Sequence, residues 1–555
     1  MKKNLFLTGI LTTAFLFGCS DDVPDKSGVN GVTGDVGYVK VAINLPTVSG
    51  NSVKANGNDD FDDGIEAEYN VNDIILAFFV GDKEDDAICT EAHSLNDLIK
   101  NQSQGNVTVK YPSDVREITK PENGKNVYAL AIVNNSGLFS VEGGKLKFGE
   151  TVFTDILSKL NGVDQSVDLS KIANLEEKNF LMMNAPITNK AAENPASGDR
   201  TVTTLVKLKV YDTKQEAEVN NKPDQIYVER AVAKVTTSID KGETNNNTLT
   251  INAPAMTYDQ ATVKFEGWRL NLTNTRFYPV RNVSEWNTWN GYYVDTELNR
   301  FFGTVANPYR VYWAIDPNYE TNATLNLFTP DNAPANWTDM AKNEYCAENT
   351  TNAAAMKRSN LTGVLLKARF KLAGIPDNAN LFMLGNSAVI YNEEDFLKKA
   401  KAALTPAVDL KIKDGVEDGI TITDAAGVKE LICKKDNTEL SDTEAADILA
   451  TCSTKIKFYK DGVMFYYTSV IKHFGDNPTE FIGDVNNPEY DEAKHLGRYG
   501  VVRNNWYEIN IKSVSGPGEP DIPIIPGDPV DKEKSFINAE INILSWAKRT
   551  QDVNL

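Results

Sequence analysis

The sequence predicts an all-β protein, mainly β with a few short helices, built as two tandem β-sandwich domains with a separate strand at the C-terminal end. Three observations predict it. Short runs of alternating apolar residues recur along most of the chain, clusters of Gly, Asn, Asp and Pro punctuate them, and amphipathic helical patterns are scarce. The chain has 555 residues, enough for several domains at roughly 100–200 residues each.

The elements follow in order. Residues 1–18 begin Met1-Lys2-Lys3 and continue as an apolar run from Leu5 to Phe17. The run is short of the ~20 apolar residues that a membrane span needs, so it reads as a signal peptide. Leu16-Phe17-Gly18-Cys19 looks like a bacterial lipobox, cut before Cys19, whose sulfur is then acylated. Each buried methylene of an acyl chain contributes about 0.8 kcal/mol, so several chains on one residue anchor stably. Residues 38–45 alternate strictly, with Val39, Val41, Ile43 and Leu45 on one face. Residues 49–57 are small and polar, a protease-accessible loop. Residues 127–133 form a nearly continuous apolar run, as for a strand buried on both faces. Alternation returns at residues 201–211, 263–272, 309–315, 364–372 and 455–458. Helical spacing appears at 153–160, 396–404 and 442–449. The polar stretch 240–247 marks a boundary, which divides the body into an N-terminal sandwich at 55–245 and a C-terminal sandwich at 246–514.

Residues 515–555 are of a different kind. Pro517, Pro520, Pro523, Pro526 and Pro529 recur at every third position. That is the period of polyproline II, a stiff rod that at about 3.1 Å per residue would extend roughly 45 Å. Residues 536–543 then alternate again, with Ile537, Ala539, Ile541 and Ile543 on one face and Asn538, Glu540 and Asn542 on the other. A single strand with an apolar face is unstable in water and has to dock. It has the same period and the same four apolar positions as residues 39–45. Either strand would fill one groove of four pockets by β-augmentation, or each is an ordinary edge strand of its own domain.

Composition narrows the function. With 57 Lys+Arg against 77 Asp+Glu the net charge is −20, which argues against nucleic acid as a partner. The 41% hydrophobic and 24% charged residues are those of a globular chain. Only three histidines are present, His93, His473 and His495, and the last two read as surface or turn residues. No Gly-x-Ser-x-Gly, phosphate loop or zinc spacing occurs, and residues 58–64 fail the spacing of a calcium loop. The expectation is therefore no enzyme, no cofactor and no metal site. Cys89, Cys346, Cys433 and Cys452 read as small buried hydrophobes, with a Cys433–Cys452 disulfide left open. Trp286, Trp289, Tyr292 and Tyr293 read as core, with a sugar platform as the alternative.

Several stretches carry a family resemblance: residues 228–235 (Val-Glu-Arg-Ala-Val-Ala-Lys-Val), 267–274 (Gly-Trp-Arg-Leu-Asn-Leu-Thr-Asn), 312–319 (Tyr-Trp-Ala-Ile-Asp-Pro-Asn-Tyr), 346–350 (Cys-Ala-Glu-Asn-Thr) and 499–507 (Tyr-Gly-Val-Val-Arg-Asn-Asn-Trp-Tyr). Together they resemble the major-subunit branch of the type V fimbrillins of Bacteroidia, the short-fimbria family. Ser20-Asp21-Asp22 resembles the acidic tag that sends lipoproteins to the cell surface in that group. The resemblance implies a lipoprotein precursor of the outer membrane, held there only through its lipid, with residues 19–54 as a propeptide. It implies cleavage between Lys54 and Ala55, loss of the strand of Val39, Val41, Ile43 and Leu45, and its replacement by a neighbour's donor strand of Ile537, Ala539, Ile541 and Ile543. The family's best-known processing enzyme is Arg-specific, whereas this chain has Lys54, which leaves the protease open. Implied partners are other copies of the chain in a filament, accessory anchor and tip subunits, the maturation protease, and host or bacterial surface receptors. The implied role is adhesion and biofilm formation. A tip or anchor adhesin and a glycan-binding surface lipoprotein are the alternatives.

Overall fold

The computed structural model describes residues 32–45, 64–95, 114–148, 151–153, 165–166, 168–193, 195–239, 247–251, 261–293, 299–303, 309–320, 325–352, 355–387, 389–468, 471–474, 491–528, 530, 541–545 and 547–554. It is mostly β, as the alternation predicts.

Among the described residues the first sheet has eight strands: β1 (Val32–Asn44), β2 (Ile74–Gly81), β3 (Ile88–Ser94), β4 (Asp114–Pro121), β5 (Asn126–Val133), β6 (Met182–Asn184), β7 (Val206–Leu208) and β8 (Asp224–Arg230). The order is β3-β2-β5-β6-β8-β1-β4, with β7 also on β5. The apolar run at 127–133 lies at the centre. β5 pairs antiparallel with β2 from Ile74↔Val133 to Gly81↔Asn126, and from Val127 to Val133 every residue is buried. This buried set continues through Val39, Ile74, Phe78, Leu130, Met182 and Val228 as one apolar core.

The second sandwich faces two sheets across another core. One contains β9 (Ala233–Ile239), β12 (Asn343–Cys346) and β19 (Asn505–Ser513). The other contains β10 (Thr248–Thr250), β11 (Thr262–Asn271), β13 (Gly363–Lys371) and β18 (Val463–Thr468). Val235, Val263, Leu366, Tyr466 and Ile509 meet between them. The two apolar cores change over between Val232 and Ala233, upstream of the boundary expected at residue 245. β9 pairs in parallel with β19, Lys234↔Trp506 through Ile239↔Ile511, so the ladder places 233–239 with the second body.

Between β13 and β18 sits a small α/β unit that the two-sandwich reading does not anticipate. Its strands β14 (Leu381–Leu384), β15 (Ile390–Asn392), β16 (Ile420–Ile422) and β17 (Ile456–Tyr459) form one sheet in the order β15-β14-β17-β16. The helices Glu393–Lys401, Ala425–Leu431 and Asp442–Thr451 share its separate core. The first helix is capped by the Asn392 side chain, with Glu393, Glu394 and Asp395 in its first turn and Lys398, Lys399 and Lys401 in its last, which complements the helix dipole. The third begins with a Ser441–Glu444 capping box. Phe396 lies on Phe382 with ring centroids 3.9 Å apart.

Other expectations need correction. The 201–211 run is broken into Val202–Thr203 and Val206–Leu208, because its two halves pair with different sheets. Residues 309–315 keep only Tyr309–Arg310 as a strand. The expected 153–160 helix starts where Thr151–Phe153 is a strand, and the rest lies outside the described residues. The proline-rich segment is not a projecting rod. Glu519 exchanges two backbone hydrogen bonds with Phe465, at 2.8 and 2.9 Å. Tyr459 and Tyr466 donate to the carbonyls of Gly518 and Gly516, each at 2.9 Å, and Lys457 pairs with Glu519 at 2.6 Å. Ile522 and Val530 are buried in small apolar clusters of the second body. Contact is so close that a Cβ on Gly518 would stand 2.4 Å from the Phe465 carbonyl oxygen, and one on Gly419 2.2 Å from that of Pro520. Apolar side chains between the prolines make the segment a strap along the body.

Buried charges join the two bodies. Glu68, on the helix α1 (Glu66–Tyr69), is 2.8 Å from Lys234 of β9, and both are sealed from solvent. Tyr345 donates to the same carboxylate at 2.5 Å, and the Lys234 ammonium lies 3.9 Å above the Trp506 ring. A second chain of contacts runs Glu229–Arg281 (3.2 Å), Arg281–Glu348 (3.4 Å) and Arg503–Glu348 (2.8 Å). Burial pushes the Glu229 carboxyl up, and Arg281 and Arg503 pull it back.

Removing one member of a buried pair strands the other. Glu68→Ala should therefore cost about 3–5 kcal/mol in urea unfolding followed by circular dichroism. Lys342→Ala, which opens the exposed pair with Asp339, should change stability by no more than about 0.5 kcal/mol.

Candidate functional site

The candidate site is the seat of β1. Alternation sends Val39, Val41, Ile43 and Leu45 into the first core, at 0%, 3%, 2% and 3% exposure. The strand is an interior one. On one side it runs parallel to β8, Val41↔Asp224 through Asn44↔Tyr227. On the other it runs antiparallel to β4, Gly37↔Ile118 through Val41↔Asp114. Nearer its start it exchanges two backbone hydrogen bonds with Tyr211, Tyr38 N–H to the carbonyl at 2.9 Å and Tyr211 N–H to the carbonyl of Tyr38 at 2.7 Å.

The second face is more enclosed than alternation suggests. Ala42 and Asn44 are buried. Asn44 Nδ2 donates to Gln225 Oε1 at 3.2 Å and to the Ile226 carbonyl at 3.3 Å. Lys40 Nζ donates to the carbonyls of Glu218 and Asn220, at 2.9 and 2.6 Å. Those carbonyls end the helix α2 (Lys214–Val219), where a cation complements the unpaired acceptors. Sequence reasoning missed this lysine and both wall strands, because their partners lie far away in the chain.

The other expected site residues divide. Cys19, Lys54, Ala55, Ile537 and Ala539 lie outside the described residues. Ile541 and Ile543 fall in β20 (Ile541–Ser545), which pairs antiparallel with β19 of the chain's own second sandwich: Ile509↔Ile541, Glu508↔Asn542, Tyr507↔Ile543 and Trp506↔Leu544. It continues into β21 (Ala547–Asn554) as a hairpin. In this single chain, then, the two similar strands occupy two separate sheets, β1 inside the first and β20 in the second.

Residues weighed for chemistry are placed as follows. His473 and His495 are buried rather than on the surface. His473 lies between the Tyr507 hydroxyl (2.8 Å) and the Tyr312 carbonyl (2.7 Å). Trp289 is core, stacked on Phe301 at 6.0 Å. Trp286 and Tyr292 flank that core, and Tyr293 is exposed. Cys89, Cys346, Cys433 and Cys452 are all buried and unbridged, and burial pushes the Cys452 thiol up to about 11. Among the described residues, no group of three or more His, Cys, Asp or Glu is placed to hold a metal ion. None of the described helices is long and apolar enough to cross a membrane.

Residues 457–552, which hold β18, β19 and the tail strands, match the family model described as major fimbrial subunit protein type IV, fimbrillin, C-terminal. No curated protein matches the chain. Similar solved structures include a candidate cell adhesion protein of Parabacteroides distasonis, at 11% identity over 93% of this chain and 96% of that one, TM-score 0.34. Another from Bacteroides eggerthii has 12% identity over 95% and 98%, TM-score 0.33. A fimbrilin of Porphyromonas gingivalis has 13% identity over 93% and 97%, TM-score 0.34. Over residues 457–552, then, the chain resembles the C-terminal part of fimbrillins, the major subunits of fimbriae.

The seat makes a prediction of its own. Ile43→Ala should destabilise the chain by about 2–5 kcal/mol through a cavity in the first core. Val36→Ala, on the same strand but 45% exposed, should shift it by about 0.5 kcal/mol or less. Thermal and urea unfolding of both variants measure the contrast.

Proposed function

We propose that the chain is the repeating stalk subunit of a fimbria in the type V, short-fimbria branch, exported as a lipoprotein on Cys19 and matured by cleavage between Lys54 and Ala55. It polymerises by strand exchange and supports adhesion and biofilm formation. It is a structural component rather than an enzyme. The observation that carries the reading is the interior seat of β1. Four buried apolar side chains hold a strand whose covalent link to the rest of the body runs through the segment containing Lys54, and the far end of the chain carries a second strand of the same pattern. A tip or anchor subunit needs only a groove or only a donor, and this chain offers both.

In the filament, the strand containing Ile541 and Ile543 leaves its own β19 edge and enters the groove of the next subunit. The strap keeps its point of departure at Val530, which is buried against the body. Three isoleucines buried at about 1.5–3 kcal/mol each contribute roughly 5–9 kcal/mol per joint, an upper estimate. Backbone pairing on both sides of the groove adds to this.

Two outcomes test maturation and exchange. Edman sequencing of sheared filaments should begin Ala-Asn-Gly-Asn at Ala55. A start at Cys19 would mean that β1 is retained and that strand exchange does not occur in this chain. Ile541→Asp, or deletion of 531–555, should leave an exported monomer without SDS-resistant ladders, while Glu540→Ala should still form them. Ladders from the truncated chain would remove the C-terminal strand from the role of donor.

A further inference from the structure

When β1 leaves, its two neighbours are not left alike. β8 keeps β6 on its far side through Met182↔Arg230, Met183↔Glu229 and Asn184↔Val228. β4 keeps no strand, because among the described residues it pairs with β1 alone. A wall without a ladder has to be held by other contacts, or it falls into the emptied groove.

One buried contact is placed to hold it. Glu91 sits on β3, at the opposite edge of the same sheet. Its Oε1 accepts the backbone N–H of Thr119 on β4 at 2.6 Å. Glu91 is 4% exposed and Thr119 5%. The sheet is therefore curled so that its two edges meet at this carboxylate. The Oε2 atom stands 3.2 Å from His93 Nε2. An exposed tie of β4 to the body, Lys120 with Asp212, has Asp212 75% exposed, and exposed pairs hold little. A charge-assisted hydrogen bond to a backbone N–H away from water is stronger than an ordinary one.

We propose that Glu91 is the positioning residue that keeps the β4 wall in place while the groove between β4 and β8 is empty. The proposal rests on the strand-exchange reading. With β1 seated, the β1–β4 ladder holds β4 and Glu91 is a secondary support. With β1 gone, the buried Glu91–Thr119 bond becomes a support on which β4 depends, and the groove stays open for the incoming strand.

The test uses the full chain, cleaved after Lys54 and stripped of β1 by gel filtration in mild denaturant, then returned to buffer. A labelled synthetic peptide of residues 535–545 is titrated, and amide exchange is followed across 114–121 in the intact and stripped forms. Wild type should take up the peptide and keep its Thr119 amide protected. Glu91→Ala should bind the peptide roughly 10–100-fold more weakly, the size of one buried hydrogen bond to a charged group. It should lose protection at 115–120 in the stripped form alone. Glu91→Gln, whose amide oxygen accepts the same N–H, should recover most of both. Equal peptide binding by wild type and Glu91→Ala overturns the proposal. So does loss of protection that is the same in both forms, because Glu91 would then be a general stability group. If stripped wild type stays folded and takes no peptide, the strand-exchange reading itself falls, and this proposal falls with it.

Discussion

The structure depends on the interior position of β1. An edge strand satisfies its backbone on one side and water serves the other. β1 has β8 on one side and the edge strand β4 on the other, so its removal would detach β4 from the sheet and uncover the core that Val39, Val41, Ile43 and Leu45 close. Unpaired backbone groups and bare apolar surface in one cleft are costly. Only another strand of the same period answers both needs, since a sheet reads side chains in steps of two.

The two bodies are joined by buried charges beside apolar contacts such as Phe180 with Tyr345, ring centroids 5.0 Å apart. Lys234 with Glu68, and Glu229 with Arg281, Glu348 and Arg503, are all sealed from water. Desolvation makes such groups expensive to separate once paired, and their directional bonds hold one orientation. Glu229 lies on β8, the groove wall, while Arg503 lies just ahead of β19, so one network ties the seat of β1 to the second sandwich. The strap has a similar effect further on, because Glu519 and the tyrosines at 459 and 466 fix it to the body.

The alternation at 38–45, the buried run at 127–133, and the helices near 396 and 442 were legible because each is a local periodicity. The two halves of the 201–211 run go to different sheets, and no local pattern records that. The proline spacing at 517–529 has the period of a rod, yet the isoleucine at 522 and the valine at 530 find apolar neighbours on the body, and packing overrides the stiffness of the free segment. His473 looked like a surface residue because its partners, Tyr312 and Tyr507, are distant in sequence.

By itself the sequence determined the β character, the two four-residue apolar faces at the ends of the chain, and the fimbrillin resemblance. All three are written in side-chain period and in short phrases. Tertiary structure alone decided that β1 is interior and not an edge, that β4 and β8 are its walls, and that Glu91 reaches Thr119 across the curled sheet. Those facts depend on pairings between residues far apart in the chain. A strand's period says which face is apolar, and only the ladder says which strands lie beside it.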